Sequence, residues 1–193
     1  MPKKMKITAA TNNAGKLREI REISDCEVVS LKDAGIVSEP EENGKTLRQN
    51  AYIKAKAAYD LLQKSALDEF IIADDSGLFI EVLLGEPGVN SARFAEPGKR
   101  RAKVLALLNG IDERDAYFET VICLLDKDCE PKFFTGRLDG KIAYENRGEN
   151  GFGYDSIFEV NGRTLAEMSE SEKNAISHRK KALEKLKLYL EKL

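Results

Sequence analysis

Asp74 and Asp75 stand side by side inside an otherwise apolar run of the chain, from Phe70 to Leu84. A carboxylate resists burial unless it is paired, hydrogen-bonded or bound to a metal, so an adjacent pair between apolar segments can hold a cation or orient a water. Phe70 to Ala73 reads as one buried strand and Leu78 to Leu84 as a second, with Asp74, Asp75, Ser76 and Gly77 at their junction. The same four residues also suit a tight Asp-Ser-Gly turn with solvated carboxylates.

Cations occur at matching places. Thr11, Asn12, Asn13, Ala14, Gly15 and Lys16 join an apolar segment, Met5 to Thr11, to a helical pattern carrying Leu17, Ile20 and Ile23. The start of a helix, with its free N–H groups and its dipole, favours an anion, so this connection can cradle phosphate; it equally fits an Asn-capped helix with a solvated lysine. Glu39, Glu41 and Glu42 lie in a Glu-, Pro- and Gly-rich loop. Thr46 is placed to cap a helix running to about Lys64, with Ala51, Ala55, Ala58 and Leu62 on one face and Lys54 also on the helix. Gly44-Lys45-Thr46 is not a P-loop, because the pattern needs a glycine where Glu39 stands.

A third group lies further on. Asn146 to Asp155 contains three glycines, and its Phe152, Tyr154 and Asp155 offer a ring face and polar groups to a flat ligand, or anchor a glycine-rich turn to the core. Lys173, Ser177, His178 and Arg179 cluster where a final amphipathic helix with Leu183, Leu186 and Leu190 begins.

The elements that must position these groups are a mixture of strands and helices. A short strand at Cys26–Leu31, a helix within Gly98–Asn109, strands at Tyr117–Leu125 and Lys132–Leu138 about an Asp126–Asp128 turn, and a short strand at Gly140–Tyr144 complete the series, which is an α/β pattern. With 193 residues, 42% hydrophobic and 33% charged, one domain spanning 1–193 is expected. A net charge of -2 gives no general affinity for nucleic acid or an anionic membrane. Three cysteines and a single histidine support neither a disulfide framework nor a zinc site and fit a reducing, cytoplasmic setting. No run approaches the ~20 apolar residues that span a bilayer.

Taken together these segments resemble the inosine triphosphate pyrophosphatase family. The resemblance rests on Thr11 to Lys16, Glu42 to Thr46 with Asn50, Ala51, Lys54 and Ala55, Ala73 to Leu78, Pro87 to Val89, Ser91 to Phe94, Gly151 to Asp155, Ala166 to Met168, Glu172 to Asn174, and Ile176 to Arg179. Three positions depart from the family pattern: Asn43 replaces the usual Thr, Gln49 a Glu, and Ser156 a Pro. Gln49 bears on metal affinity, since it keeps an oxygen but loses a charge.

The resemblance implies hydrolysis of ITP, dITP and XTP to monophosphate and pyrophosphate by water attack at the α-phosphorus, with Mg²⁺ as cofactor. It implies Asp75 as general base and metal ligand, with Asp74 and Glu42 supporting the metal. Lys16, Lys54 and Arg93, with the backbone of residues 11 to 16, would bind the triphosphate, and Ser76 would also bind substrate. Phe152 would stack on the purine beside Gly153 and Tyr154, and Asp155, Lys173, His178 and Arg179 would read its edge. The fold implied is α/β, an elongated mixed β-sheet flanked by helices, with two lobes around a central cleft, in a homodimer that binds neither nucleic acid nor membrane. Two other readings stay open: a related nucleotide pyrophosphatase with another base preference, and a nucleotide- or RNA-binding module without turnover. Asp75 and Lys16 speak against the second.

Overall fold

The computed structural model describes residues 5–24, 26–62 and 70–193. Eight strands form one mixed sheet in the order β2-β1-β3-β5-β6-β7-β8, with β4 also on β3. The strands are β1 (Lys6–Ala9), β2 (Glu27–Ser30), β3 (Phe70–Ile80), β4 (Pro87–Gly88), β5 (Asp115–Leu125), β6 (Pro131–Ile142), β7 (Phe158–Val160) and β8 (Arg163–Thr164). Five α-helices accompany them: α1 (Ala14–Ile23), α2 (Leu47–Leu62), α3 (Arg100–Leu107), α4 (Glu170–Ile176) and α5 (His178–Leu190). The chain divides into two compact units, and its boundaries at Asp75/Ser76, Glu119/Thr120 and Gly136/Arg137 fall inside β3, β5 and β6.

In the first unit, β1 pairs in parallel with β2 and with the start of β3, in register Ile7 with Val28 and Thr8 with Ile71. Side chains alternate across a strand, and the sheet is buried on both faces. Ile7, Ala9, Ile72, Ile122 and Leu124 pack with Ile20 of α1 and Leu183, Leu186 and Leu190 of α5. Ile71, Ala73, Cys123 and Leu125 pack with Ala51, Ala55, Ala58 and Tyr59 of α2. At ~25 cal/mol per Å² of apolar area, these two layers supply most of what holds the unit together.

The second unit has antiparallel pairs, β3 with β4 (Leu78 with Gly88), β6 with β7 (Ile142 with Phe158) and β7 with β8 (Glu159 with Thr164). Its core gathers Leu78, Ile80, Val104, Leu108, Phe118, Leu138, Ile142, Phe158 and Leu165.

Three expectations are corrected. Asp74 to Gly77 is not a junction between strands: β3 runs unbroken from Phe70 to Ile80. Gly77 is there for close approach rather than for turning, since a Cβ at that position would lie 2.5 Å from the Gly88 carbonyl oxygen. The apolar segment also ends earlier than read, because Glu81–Leu83 forms a 3-10 turn. Likewise the separate strand at Gly140–Tyr144 is the end of β6, carried on by pairing of Lys141 with Glu159. The expected end of α2 near Lys64 lies outside the described residues.

Candidate active site

The first unit carries the acid–base and cationic groups. Asn13 caps α1, its side-chain Oδ1 accepting from the Lys16 N–H at 3.0 Å, and Thr11 Oγ1 accepts from the Asn13 N–H. Asn12 is tied by its side-chain amide to the Ser38 carbonyl. This fixes Ala14 and Gly15 as the first residues of α1, whose leading N–H groups and dipole attract an anion. Lys16 points back to β3, with Nζ 3.1 Å from Asp74 Oδ2.

Asp74 and Asp75 belong to different clusters. Asp74 Oδ2 also receives Arg179 Nε and Nη2, both at 3.2 Å, and Arg179 Nη1 bonds Glu19 of α1. Lys16, Asp74, Arg179 and Glu19 thus form an alternating chain of charges, with Asp74 and Arg179 each only 2% exposed. Burial pushes the Asp74 carboxyl upward, but the charges of Lys16, Arg179 and Lys54 outweigh it and hold it well below the usual carboxylate range. Burial lowers the Lys16 ammonium; Asp74 restores part of the loss, while Lys54 and Arg179 add to it. Asp74 gains more from the pair than Lys16 does because it faces several cations at once.

Asp75 meets Lys54 of α2 instead. Lys54 Nζ lies 2.9 Å from Asp75 Oδ1 and 3.6 Å from Glu42 Oε1. Burial lowers the Lys54 ammonium, yet Asp75, Asp74 and Glu42 together raise it. Asp75 Oδ2 is buried and meets no hydrogen-bond partner among the described residues. Two carboxylates sharing one ammonium, with an oxygen in reserve, fit a divalent cation that takes one or two protein carboxylates and draws its other ligands from substrate phosphates and water. Among the described residues no group of three or more His, Cys, Asp or Glu side chains could hold a metal unaided. The expected metal shell is therefore divided: Glu42 and Asp75 are together, and Asp74 faces Lys16 and Arg179. Gln49 is used in capping, its Oε1 accepting from the Lys45 N–H while its own N–H donates to Thr46 Oγ1.

The second unit carries the aromatic loop. Asp155 organises it: Oδ2 accepts from the Phe152 N–H at 2.8 Å and from Lys173 Nζ at 2.7 Å. Lys173 Nζ also lies 4.6 Å from the centre of the Phe152 ring. A Cβ at Gly151, whose φ is +76°, would collide with the Asp155 carboxylate, so only glycine lets the loop close this tightly. Gly153 is exposed. Tyr154 is buried, donates to the Ser91 carbonyl at 2.7 Å, and has its hydroxyl pushed up to about 12 by burial, so it remains a donor. His178 stacks on Phe118 at 4.8 Å. Arg93 is exposed on a 3-10 turn, and Ser76, half-buried, opens the second half of β3.

The structure thus joins Lys16, Asp74 and Arg179 in one cluster, Glu42, Lys54 and Asp75 in a second, and Phe152, Asp155 and Lys173 in a third. Glu19 was not anticipated. Its signal was spacing, since it lies three residues after Lys16, between Leu17 and Ile20 on the inward side of α1.

The chain is similar to known proteins over nearly its whole length. The sequence model of the Ham1 family matches residues 7–189. A dITP/XTP pyrophosphatase of Thermoanaerobacter sp. (strain X514) is 44% identical, over 96% of each chain. One from Bacillus cereus (strain ATCC 14579) is 46% identical, over 93% of this chain and 92% of its own. Among solved structures, a HAM1 protein from Coxiella burnetii superposes with a TM-score of 0.84 at 39% identity, covering 98% of this chain and all of the other (100%). The Staphylococcus aureus Ham1 protein gives 0.83 at 39% identity, over 96% and 98%.

Proposed function

The chain belongs to the Ham1 family, and from that premise we propose that it is a pyrophosphatase of non-standard purine nucleoside triphosphates, of the dITP, ITP and XTP class. The observation that carries this reading is the Lys54 ammonium set between Asp75 and Glu42, beside an aspartate oxygen with no hydrogen-bond partner among the described residues. Phosphoryl transfer is mostly positioning and charge stabilisation, and these groups suit it. Asp75 is the general base, orienting a water and taking its proton as the new bond to the α-phosphorus forms and the bond to the β-phosphate's bridging oxygen breaks. Pyrophosphate leaves, its charge met by Lys16, Lys54 and Arg93 and by the N-terminus of α1.

Glu42 and Asp75 are the residues that would hold Mg²⁺, which when bound supplies charge neutralisation along the phosphates. Phe152 stacks on the base, and Asp155, Lys173 and His178 read its edge. Arg179 is held by Asp74 and Glu19. A 6-oxo group meets lysine and histidine donors that the adenine amino group would leave unpaired. Among the described residues no helix is long and apolar enough to cross a membrane. A single-domain, cytoplasmic homodimer without affinity for nucleic acid completes the proposal.

The test is pyrophosphate release from ITP and XTP with Mg²⁺, with ATP as reference. Orthophosphate is expected only after a separate inorganic pyrophosphatase is added. Equal kcat/KM for ITP and ATP would remove the proposed base reading, and direct orthophosphate release would move the cleavage position.

A further inference from the structure

The loop Asn146–Asp155 is closed at its neck by a bond that none of its aromatic or charged residues makes. Ser156, the residue that follows it, is 4% exposed and donates from Oγ to Asn146 Oδ1 at 2.8 Å. Ser156 Oγ in turn accepts from Arg101 Nη1, in the first turn of α3, at 3.0 Å. The Arg147 N–H adds a backbone bond to the Ser156 carbonyl at 2.9 Å. One hydroxyl thus joins the two ends of the loop and ties both to a helix outside it. A short loop whose ends are held together loses much of its freedom before any ligand arrives, and a glycine-rich one gains most from such closure. We propose that Arg101 is a positioning residue for base selection, acting through Ser156 and Asn146 to hold the loop that presents Phe152 and Asp155. This rests on the reading of that loop as the purine-binding element.

The clasp is testable because its loss leaves nothing stranded. Arg101 is only half-buried and Asn146 exposed, so in Ser156→Ala both reach water and the fold stands. Ser156→Ala and Arg101→Gln are each expected to lower kcat/KM for ITP ~3- to 10-fold, the scale of one hydrogen bond, and to narrow the ITP-to-ATP ratio. The double variant should fall no further than either single, because both remove one link. Inhibition by inorganic tripolyphosphate, which carries no base, should stay within about two-fold of wild type. The chain has no tryptophan, so Phe152→Trp gives a single reporter on the loop itself. Acrylamide should quench it more strongly once Ser156→Ala or Arg101→Gln is added. Multiplying effects in the double variant, equal losses toward tripolyphosphate, or unchanged quenching would each overturn the clasp. Should the unmodified protein not hydrolyse ITP, the functional reading fails, and the quenching comparison still decides the clasp.

Discussion

Asp74 and Asp75 are neighbours in β3 and face opposite sides of the sheet. Asp74 shares its side with Ile72 and meets Lys16 and Arg179, from the layer of α1 and α5. Asp75 shares its side with Ile71 and Ala73 and meets Lys54, from the layer of α2. A period of two along a strand forces this separation. It gives Asp74 two cations, Lys16 and Arg179, and leaves Asp75 a single one, Lys54.

Asp75→Asn should therefore remove activity and spare the fold. An amide cannot take the water's proton or supply a charged ligand, and loss of a general base typically costs ~10²- to 10⁴-fold. Pyrophosphate release and a thermal melt on the same preparation check this. Turnover within a few-fold of wild type would move the base elsewhere, and Glu42, on the same ammonium, is the next candidate.

Asp74→Asn should do the reverse of sparing the fold. It leaves Lys16 and Arg179 short of a buried counter-charge, and breaking such a pair costs ~3 to 5 kcal/mol, or roughly 6 to 20 °C in Tm for a chain of this size. The sign with pH follows from the depressed carboxyl. Its stabilisation is complete above the unfolded aspartate value of ~3.9 and is lost as pH falls through the lower folded value. Wild type and variant should differ fully near neutrality and begin to converge only below about pH 4 in chemical denaturation.

Much of this site was legible because its motifs are short, local and tied to element ends. Asn13 capping α1 and Thr46 capping α2 follow from residue type alone, and both helices start there. The acidic pair was legible as a site but not as geometry. Two polar residues followed by Ser-Gly look like a turn, and only the closeness of Gly88 to Gly77 and the ion pairs on both faces show why the strand continues. Arg179 is expected from sequence to read the base edge, and its pairing with Asp74 and Glu19 has no local signal. Its burial depends on Glu19, which is 160 residues away in sequence, and no local pattern carries that contact. The Arg101–Ser156 bond was hidden for the same reason, its partners being 55 positions apart.

Lys16 sets an alkaline limit. Its ammonium is lowered by burial, so it loses its charge before an ordinary lysine, whose value is ~10.4. Lys54 is raised and keeps its charge longer. Since kcat/KM reports the free enzyme, its alkaline limb with ITP should begin below the ordinary lysine value. Lys16→Arg should move that limb upward, because arginine stays charged throughout. A limb left unmoved by Lys16→Arg would assign it to another group.

The aromatic loop separates holding a base from reading it. Phe152 offers a ring face, which contacts every purine alike, and stacking on an aromatic is worth ~1 to 3 kcal/mol by alanine substitution in single-strand binding proteins. Phe152→Ala should then lower kcat/KM ~5- to 150-fold for ITP, XTP and ATP together, with their ratios kept. Lys173 is different: its ammonium lies against both that ring and Asp155, so it is a donor beside the stacked base. Lys173→Met keeps the chain's apolar stem but removes the charge, and should lower ITP and XTP more than ATP, because only the 6-oxo bases lose an acceptor's partner. Lys173→Met also leaves buried Asp155 without its cation and should lower the melting temperature, so the ratio between substrates, which uniform destabilisation would keep, is the deciding readout. A changed ratio in Phe152→Ala with an unchanged ratio in Lys173→Met would exchange the two roles.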